Sequence, residues 1–290
     1  MKIGILGRHG TWHVAALENA LAQRGIDAAC FPVTHLTARL ASAPRVAACR
    51  DPVDSYDIVL VRAIPVGSLE QIIYRMDALH RLENAGIKIV NSPSAIERSV
   101  DKYYTLTLME DAGLPTPRTI VTERFDVAMA AFHELGGDVV VKPIFGSEGR
   151  GMVRVTDIDC AHRVFKALEL GRYVYYLQEF VPHNSEDIRV FVIGGEVVAA
   201  MKRIGENWKT NIANGASATP LIPDDILREM SIRAASVLGA TYAGVDFLAS
   251  EGKGYILTEV NGIPGWKGLQ SATGVDVPGL LVDHILNKEV

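Results

Sequence analysis

Val139-Val-Val-Lys142-Pro143-Ile-Phe-Gly146-Ser147-Glu148-Gly149-Arg150-Gly151-Met-Val-Arg-Val155 carries more of the architecture than any other part of this 290-residue chain. An apolar run predicts a strand ending on a lysine. Three glycines follow, and a second apolar run predicts a returning strand. Glycine lets main-chain N–H groups approach an anion closely, and Lys142 adds a positive charge beside them. No Gly-Lys-Ser or Gly-Lys-Thr follows and no helix opens there, so this is not the phosphate loop of strand–helix nucleotide-binding proteins. It reads as a flap between antiparallel strands that can close over phosphates. Taken alone, a glycine hairpin beside a solvated lysine explains it equally well.

Upstream, short strands alternate with helices. Lys2 to Leu6, Ala28 to Pro32, Tyr56 to Arg62 and Ile87 to Val90 read as strands. Helices are predicted over Trp12 to Arg24, closed by Gly25, and over Leu69 to Ala85, stopped by Gly86. That alternation argues a parallel sheet with helices on its faces. The spacing Gly4-x-x-Gly7-x-x-Gly10 lacks the order of a dinucleotide fingerprint, and no acidic residue follows the second strand. It reads as a tight turn near a substrate, and a dehydrogenase is rejected. Asn91-Ser-Pro-Ser-Ala marks a boundary with Ser94 as N-cap; one helix then runs from Ile96 to Ala112, ended by Gly113-Leu-Pro-Thr-Pro117.

Downstream, strands dominate: Thr119 to Thr122, Val139 to Pro143, Met152 to Val155, Tyr173 to Val181, Ile188 to Val192, Glu196 to Ile204, Gly244 to Leu248 and Tyr255 to Val260. Helices are predicted at Asp126 to Leu135, Asp159 to Leu170 and Asp224 to Leu238. The expected fold is α/β in three parts: 1–93, a parallel-sheet domain; 94–177 and 178–290, two α+β subdomains.

The later strands carry the other chemical groups. Along Tyr255-Ile-Leu-Thr-Glu259-Val-Asn261, alternation points Glu259 and Asn261 the same way. A hairpin with Gly244-Val-Asp246 can bring Asp246 beside Glu259. Two carboxylates and an amide oxygen are hard ligands suited to Mg²⁺. Tyr175-Tyr-Leu-Gln178-Glu179-Phe180-Val181-Pro182 is a strand whose exposed backbone can pair with an adenine edge, although an edge strand is the default reading. Arg189 and Arg203 lie on consecutive strands around the Gly194-Gly195 turn, where paired guanidiniums can clamp a carboxylate or phosphate. Trp208 and Trp266 are placed near the site entrance.

Composition bounds the function. Lys plus Arg number 29 against 34 Asp plus Glu, a net charge of -5, so a polyanion-coating role is disfavoured and no nucleic-acid partner is expected. Three cysteines without a CxxC spacing argue against a disulfide framework or zinc site and point to a reducing cytoplasm. The eight histidines show no metal spacing. No run of about 20 apolar residues is present, so no membrane span is expected.

Taken in order, Lys142-Pro with the glycine flap, Gln178-Glu179-Phe, Asp187-Ile-Arg189, Trp208-Lys-Thr-Asn211 and Glu259-Val-Asn261-Gly-Ile-Pro-Gly resemble the RimK-type glutamate ligases of the ATP-grasp superfamily. The resemblance covers nearly the whole chain. It implies that ATP lies between the two α+β subdomains, contacted by Lys102, Lys142 and the flap residues Gly146, Ser147, Gly149 and Gly151. The backbone of Gln178, Glu179, Phe180 and Val181 would hold adenine, and Glu186 or Asp187 the ribose. Asp246, Glu259 and Asn261 would bind two Mg²⁺, with Mn²⁺ as a substitute. Arg203, Lys142 and Asn211 would be catalytic; Arg189, Arg203, Lys209 and Asn211 would hold substrate.

The implied reaction is ATP-dependent joining of L-glutamate to an acidic acceptor through an acyl phosphate. The tail Pro264-Gly-Trp-Lys-Gly-Leu-Gln270 is similar to that of members acting on a pterin-type coenzyme. Asn211-Ile-Ala-Asn214-Gly215 departs from the Arg-Gly-Gly of many relatives, and Lys209 replaces an arginine of the ribosomal-protein-modifying members. A protein C-terminus, of a ribosomal protein or an amino-group carrier protein, is the alternative acceptor. A nucleotide-binding regulator without chemistry is the alternative of another class. Relatives imply a dimer or tetramer.

Overall fold

A computed structural model describes residues 1–146, 149–210, 215–250 and 252–287. Four parallel strands, β1 (Ile3–Leu6), β2 (Ala28–Phe31), β6 (Ile58–Val61) and β7 (Lys88–Val90), lie in the order β2-β1-β6-β7. The order reverses between β1 and β6. Helices α1 (Trp12–Ala22) and α2 (Leu69–Asn84) make the β1–β2 and β6–β7 crossovers. Gly7 ends β1 where a Cβ would meet Val14 Cγ2 at 2.9 Å and Arg62 Cβ at 3.3 Å, so only glycine lets the ends of β1 and β6 come this close. Between β2 and β6 a small antiparallel sheet is inserted: β3 (Leu36–Ala38), β4 (Val46–Ala48) and β5 (Asp51–Pro52). These strands are two or three residues long, too short to leave an alternation in the sequence.

The expected single helix after residue 91 is two, α3 (Pro93–Val100) and α4 (Lys102–Asp111). Ser92, not Ser94, caps the first, with Pro93 at its opening turn. Asp101 breaks the run: its backbone is extended and its carboxylate accepts from Tyr104 N at 3.0 Å, starting α4 afresh. The break brings Lys102 to the base of the flap.

The second sheet runs β10-β9-β11-β8, all antiparallel, from β8 (Thr119–Thr122), β9 (Val139–Lys142), β10 (Val153–Val155) and β11 (Tyr175–Glu179). Val139, Val141, Tyr175 and Leu177 pack on α5 (Phe125–Glu134) and α6 (Ile158–Leu170) through Phe132 and Phe165. Alternation then turns Val140, Lys142, Tyr176 and Gln178 to the opposite face. Because β11 pairs along its whole length with β8 and β9, a division at 177/178 falls inside a strand.

The third sheet runs β14-β13-β12-β15-β16: β12 (Glu186–Ile193), β13 (Glu196–Ile204), β14 (Ser217–Pro220), β15 (Tyr242–Ser250) and β16 (Gly254–Asn261). Val190, Val192, Val245, Phe247 and Val260 pack on α7 (Asp225–Leu238). Phe191 and Ile193, on the other face of β12, join Trp266, Ile3, Ile5, Leu17 and Leu21. Two helices missing from the sequence reading, α8 (Lys267–Thr273) and α9 (Val277–Asn287), close the chain. Pro278 and Gly279 inside α9 obscure its signal. Leu281, Val282 and Ile285 seat α9 in the same core as α1, so the first and last segments share one interior. Each fully buried side chain of that size contributes roughly 1.5–3 kcal/mol. Among the described residues no helix is long and apolar enough to cross a membrane.

Candidate active site

A cleft opens between the Lys142 face of the second sheet and the third sheet. Open space between its walls and at its mouth amounts to about 890 Å³. Its lining includes Lys102, Lys142, Gly146, Gly149, Gln178 to Val181, Asp187, Arg203, Lys209, Asp246 and Glu259. The sequence reading gathered these from separate segments, and the fold brings them together.

One wall is cationic. Lys142, opposite Tyr176 in the register, donates from Nζ to Gln178 Oε1 at 2.6 Å, and Gln178 Nε2 donates to Thr119 Oγ1 at 3.0 Å. Burial, together with nearby Lys102, pulls the Lys142 ammonium down to about 8, although Glu259 opposes the fall. Lys102 Nζ donates to Gly146 O at 2.5 Å and Ile144 O at 3.4 Å, tying α4 to the flap. Its ammonium is also lowered by burial, against Glu259 and Asp101. Neither lysine has a carboxylate within salt-bridge distance among the described residues. Two half-buried cations, drawn on only from a distance by Glu259, fit a phosphate chain.

The other wall pairs most of its charge within the fold. Asp187 and Arg203 are cross-strand partners, joined by two hydrogen bonds of 2.5 and 2.6 Å, and Thr210 Oγ1 donates to the same carboxylate at 2.6 Å. Asp246 accepts two bonds from Arg189, at 2.7 and 2.6 Å, and its Oδ2 lies 2.9 Å from Arg203. Burial pushes the Asp246 carboxyl up, but Arg189 and Arg203 outweigh it and hold it well below the usual range. Burial, reinforced by Asp246, raises Asp187 against the pull of Arg203. Asp246 faces Glu259 in the register of β15 and β16, and a bulge beside Asp246 turns Thr258 into the cleft as well. Val245, Phe247, Leu257 and Val260 around them are fully buried. Asp246 and Glu259 are thus two hard oxygen ligands side by side, and they fit Mg²⁺.

Three assignments need revision. Glu186 is paired with Lys202 at 2.8 Å on the other face of β12 and does not line the cleft, because alternation gives that face to Asp187 and Arg189. Asn261 shares the Glu259 side of β16, but its Oδ1 accepts from Ile263 N at 2.9 Å and it does not line the cleft. Trp266 is fully buried in the core; only Trp208 stands at the cleft, 6.5 Å edge-on to Phe180. Ser147 and Asn211 lie outside the described residues. Gly151 is at the flap's end with a positive φ of 75°, a conformation glycine adopts freely.

The sequence reading missed the groups that hold the site in place. Arg118 donates to Glu179 through its backbone N (3.2 Å) and Nε (2.9 Å), and Phe180 N donates to Asp138 O at 3.0 Å, fixing the strand end beside the cleft. Burial pushes Glu179 up, but the Arg118 hydrogen bonds and Lys253 keep it below the ordinary carboxylate range. At the seam between the first and third sheets, fully buried Asn91 donates to Tyr242 O (2.8 Å) and Gly262 O (2.6 Å) and accepts from Thr241 N (2.7 Å) and Tyr242 N (3.2 Å). Arg62 donates to Tyr242 Oη at 2.8 Å and Pro264 O at 2.9 Å. None of these has a motif; an asparagine at a strand end was the most that was visible. His9, Glu18 and Cys30, unrelated by spacing, place ligand-type atoms within 4.8 Å of one another, with His9 3.7 Å from Glu18.

Comparison with known proteins agrees with this geometry. Residues 1–96 match the RimK PreATP-grasp domain and residues 99–285 the RimK-like ATP-grasp domain. A tetrahydromethanopterin:alpha-L-glutamate ligase of Methanococcus maripaludis is 34% identical, covering 99% of this chain and 98% of its own. A probable alpha-L-glutamate ligase of Aliivibrio fischeri is 33% identical over 98% and 95%. An alpha-aminoadipate–LysW ligase, LysX, of Sulfolobus acidocaldarius is 35% identical over 70% and 75%. Among solved structures, the ATP-grasp ligase PsnB, in complex with a minimal precursor, Mg and ADP, superposes with a TM-score of 0.78 at 22% identity, over 99% of this chain and 97% of its own. With both lobes, the cationic flap and the paired acids in place, the chain belongs to the RimK-like ATP-grasp family of ATP-dependent ligases.

Proposed function

We propose that this protein joins L-glutamate to an acidic acceptor of the pterin-coenzyme class, with ATP as the activating substrate. The observation that carries the reading is the mismatch across the cleft: Lys102 and Lys142 lack an anion on one wall, while Asp246 and Glu259 stand together on the other. A triphosphate meets the first need and a divalent cation the second. The similarity to tetrahydromethanopterin:alpha-L-glutamate ligases supports the acceptor class.

A carboxylate is a poor electrophile because its charge is delocalised. Attack of an acceptor carboxylate oxygen on the γ-phosphorus, with ADP leaving, makes an acyl phosphate. The amine of L-glutamate then attacks the acyl carbon, inorganic phosphate departs, and the nitrogen loses a proton. Phosphoryl transfer asks the protein mainly for positioning and charge neutralisation. Lys142 and Lys102 would hold the phosphates and tie the flap down over them, excluding water from the intermediate. The backbone from Gln178 to Val181 would take adenine, and Asp187 lies where a ribose would reach. Asp246 and Glu259 would hold Mg²⁺, which when bound neutralises phosphate charge. Arg203 and Arg189 would meet the transferring phosphoryl group and the substrate carboxylate.

The test is phosphate release and product mass with ATP, Mg²⁺, L-glutamate and tetrahydromethanopterin. A glutamylated pterin formed only with all four present supports the reading. ADP formation without any glutamyl product, with every amino acid tried, would sink it. The relationship to LysX favours a second acceptor, a carrier protein, and a product of protein mass would select it.

A further inference from the structure

Outside the nucleotide cleft a second group of cations meets no acid. The parallel sheet reverses its strand order between β1 and β6, and in open α/β sheets a crevice forms beyond the carboxyl ends of the strands at such a reversal. Arg62 directly follows β6 there. Its guanidinium carbon sits 4.3 Å over the Trp266 ring, and Tyr242 Oη and Pro264 O accept one bond each. Both acceptors are neutral, Nε is buried without a partner, and no carboxylate reaches Arg62 among the described residues. The guanidinium is therefore held flat and oriented, with donors left over.

The surroundings are biased the same way. Lys267, exposed, has its ammonium 5.9 Å from the Trp12 ring, and Arg8 is exposed on the loop after β1. Neither has an acid partner among the described residues. His13 accepts from Trp266 N at 3.1 Å through Nε2, and burial with Arg62 and Lys267 nearby pulls its imidazole down to about 4, so it is neutral and adds no anion. The 11-residue helix α1 opens here with no side-chain cap and no acid in its first turn. An uncapped helix start attracts negative charge.

Pro264 connects this place to the chemistry. Its carbonyl holds Arg62, while its ring lies 3.0 Å from where a Cβ on Gly244 would stand, with Arg189 Nε 3.7 Å from the same point. Pro264 thus lies between Arg62 and the Arg189–Asp246 pair.

We propose that Arg62, flanked by Lys267 and Arg8, anchors a carboxylate of the acceptor remote from the one that is activated, and so makes the enzyme select acidic acceptors. This rests on the ligase reading for its meaning, but the anion site stands on its own geometry.

Trp266 lies against Arg62 and reports on it directly. Intrinsic fluorescence of the full chain is titrated with γ-L-glutamyl-L-glutamate, then with L-glutamate alone, each with and without saturating ATP analogue and Mg²⁺. The expected result is a saturable change with the dipeptide that weakens about tenfold or more in Arg62→Lys, which keeps the charge but loses the two-pronged donor. Lys267→Gln should weaken it about two- to threefold. Binding of the ATP analogue should stay unchanged in both. A site that prefers free L-glutamate would assign Arg62 to the incoming amino acid and overturn the acceptor assignment. Equal dipeptide affinity in wild type, Arg62→Lys and Lys267→Gln would overturn the site and leave Arg62 a brace between domains. Should Arg62→Lys fail to fold, Lys267→Gln and Arg8→Gln, both exposed, decide alone: unchanged affinity in the two refutes the site. If no glutamyl product forms with any acceptor while these affinities behave as expected, the ligase reading fails and the anion site survives.

Discussion

The two walls of the cleft between the second and third sheets solve the same electrostatic problem in opposite ways. On the second sheet, half-buried Lys142 has only the neutral Gln178 amide for a hydrogen-bond partner, and the cost appears as an ammonium drawn down to about 8. On the third sheet, buried Asp187 and Asp246 are matched by Arg203 and Arg189 through short hydrogen bonds. The first wall is left unsatisfied and waits for an anion. The second, Glu259 apart, is satisfied within the fold. Unpaired charge marks where substrate charge is expected; paired charge marks where the fold itself depends on the pairing.

Removing an acid from the matched wall should therefore have the largest effect on stability. Asp246→Asn leaves Arg189 without a carboxylate and Arg203 with Asp187 alone, and urea unfolding should show a loss of about 3–5 kcal/mol. A loss below about 1 kcal/mol would mean that water or Glu259 replaces it, and the contrast between walls would vanish.

Glu259 is the sharper probe of function, because no arginine pairs with it among the described residues. Glu259→Gln should fold normally and lose about 100-fold or more in turnover, read by phosphate release. Unchanged turnover would remove Glu259 from the metal set.

The unsatisfied wall should respond to pH. Lys142 carries its charge below about 8 and loses it above, so affinity for an ATP analogue should fall as pH rises from 7 to 9, by up to about tenfold. For stability the sign is reversed. Between about 8 and the ordinary lysine value the unfolded chain binds more protons, so the apo protein should gain stability as pH rises through that window. Lys142→Met should abolish both trends; an affinity profile that stays flat in the wild type would place the phosphates elsewhere.

The smallest expected effect lies at the seam, where a group is buried neutral rather than paired. His13 stays unprotonated until about pH 4 in the folded chain, against about 6.5 unfolded. As pH falls through that window the unfolded state takes up the proton first, and stability drops. Because His13 is partly exposed, about 1 kcal/mol is expected, and His13→Gln should flatten this limb of the thermal-unfolding profile.

Much of the site was legible because its chemistry is local. Val139 to Val155 spells out strand, lysine, glycine loop and strand, and Glu259-x-Asn261 needs only the two-residue period to put both on one side. The helix break at Asp101 was hidden because an aspartate can cap a helix or sit on its surface, and only its acceptance from Tyr104 N distinguishes the two. Glu186 and Asp187 could not be separated before β12 was paired, since register decides which faces the cleft.

The chain's own pattern of alternation, helix stops and glycine positions determined the three sheets, the flap and the acids of β15 and β16, because backbone preference acts between neighbours along the chain. Only the tertiary structure decided that Asn91 locks onto Thr241, Tyr242 and Gly262, that Arg189 and Arg203 converge on Asp246, and that Arg62 lies over Trp266. Those contacts join residues far apart in sequence, and their strength comes from burial, which no residue possesses until the sheets have packed.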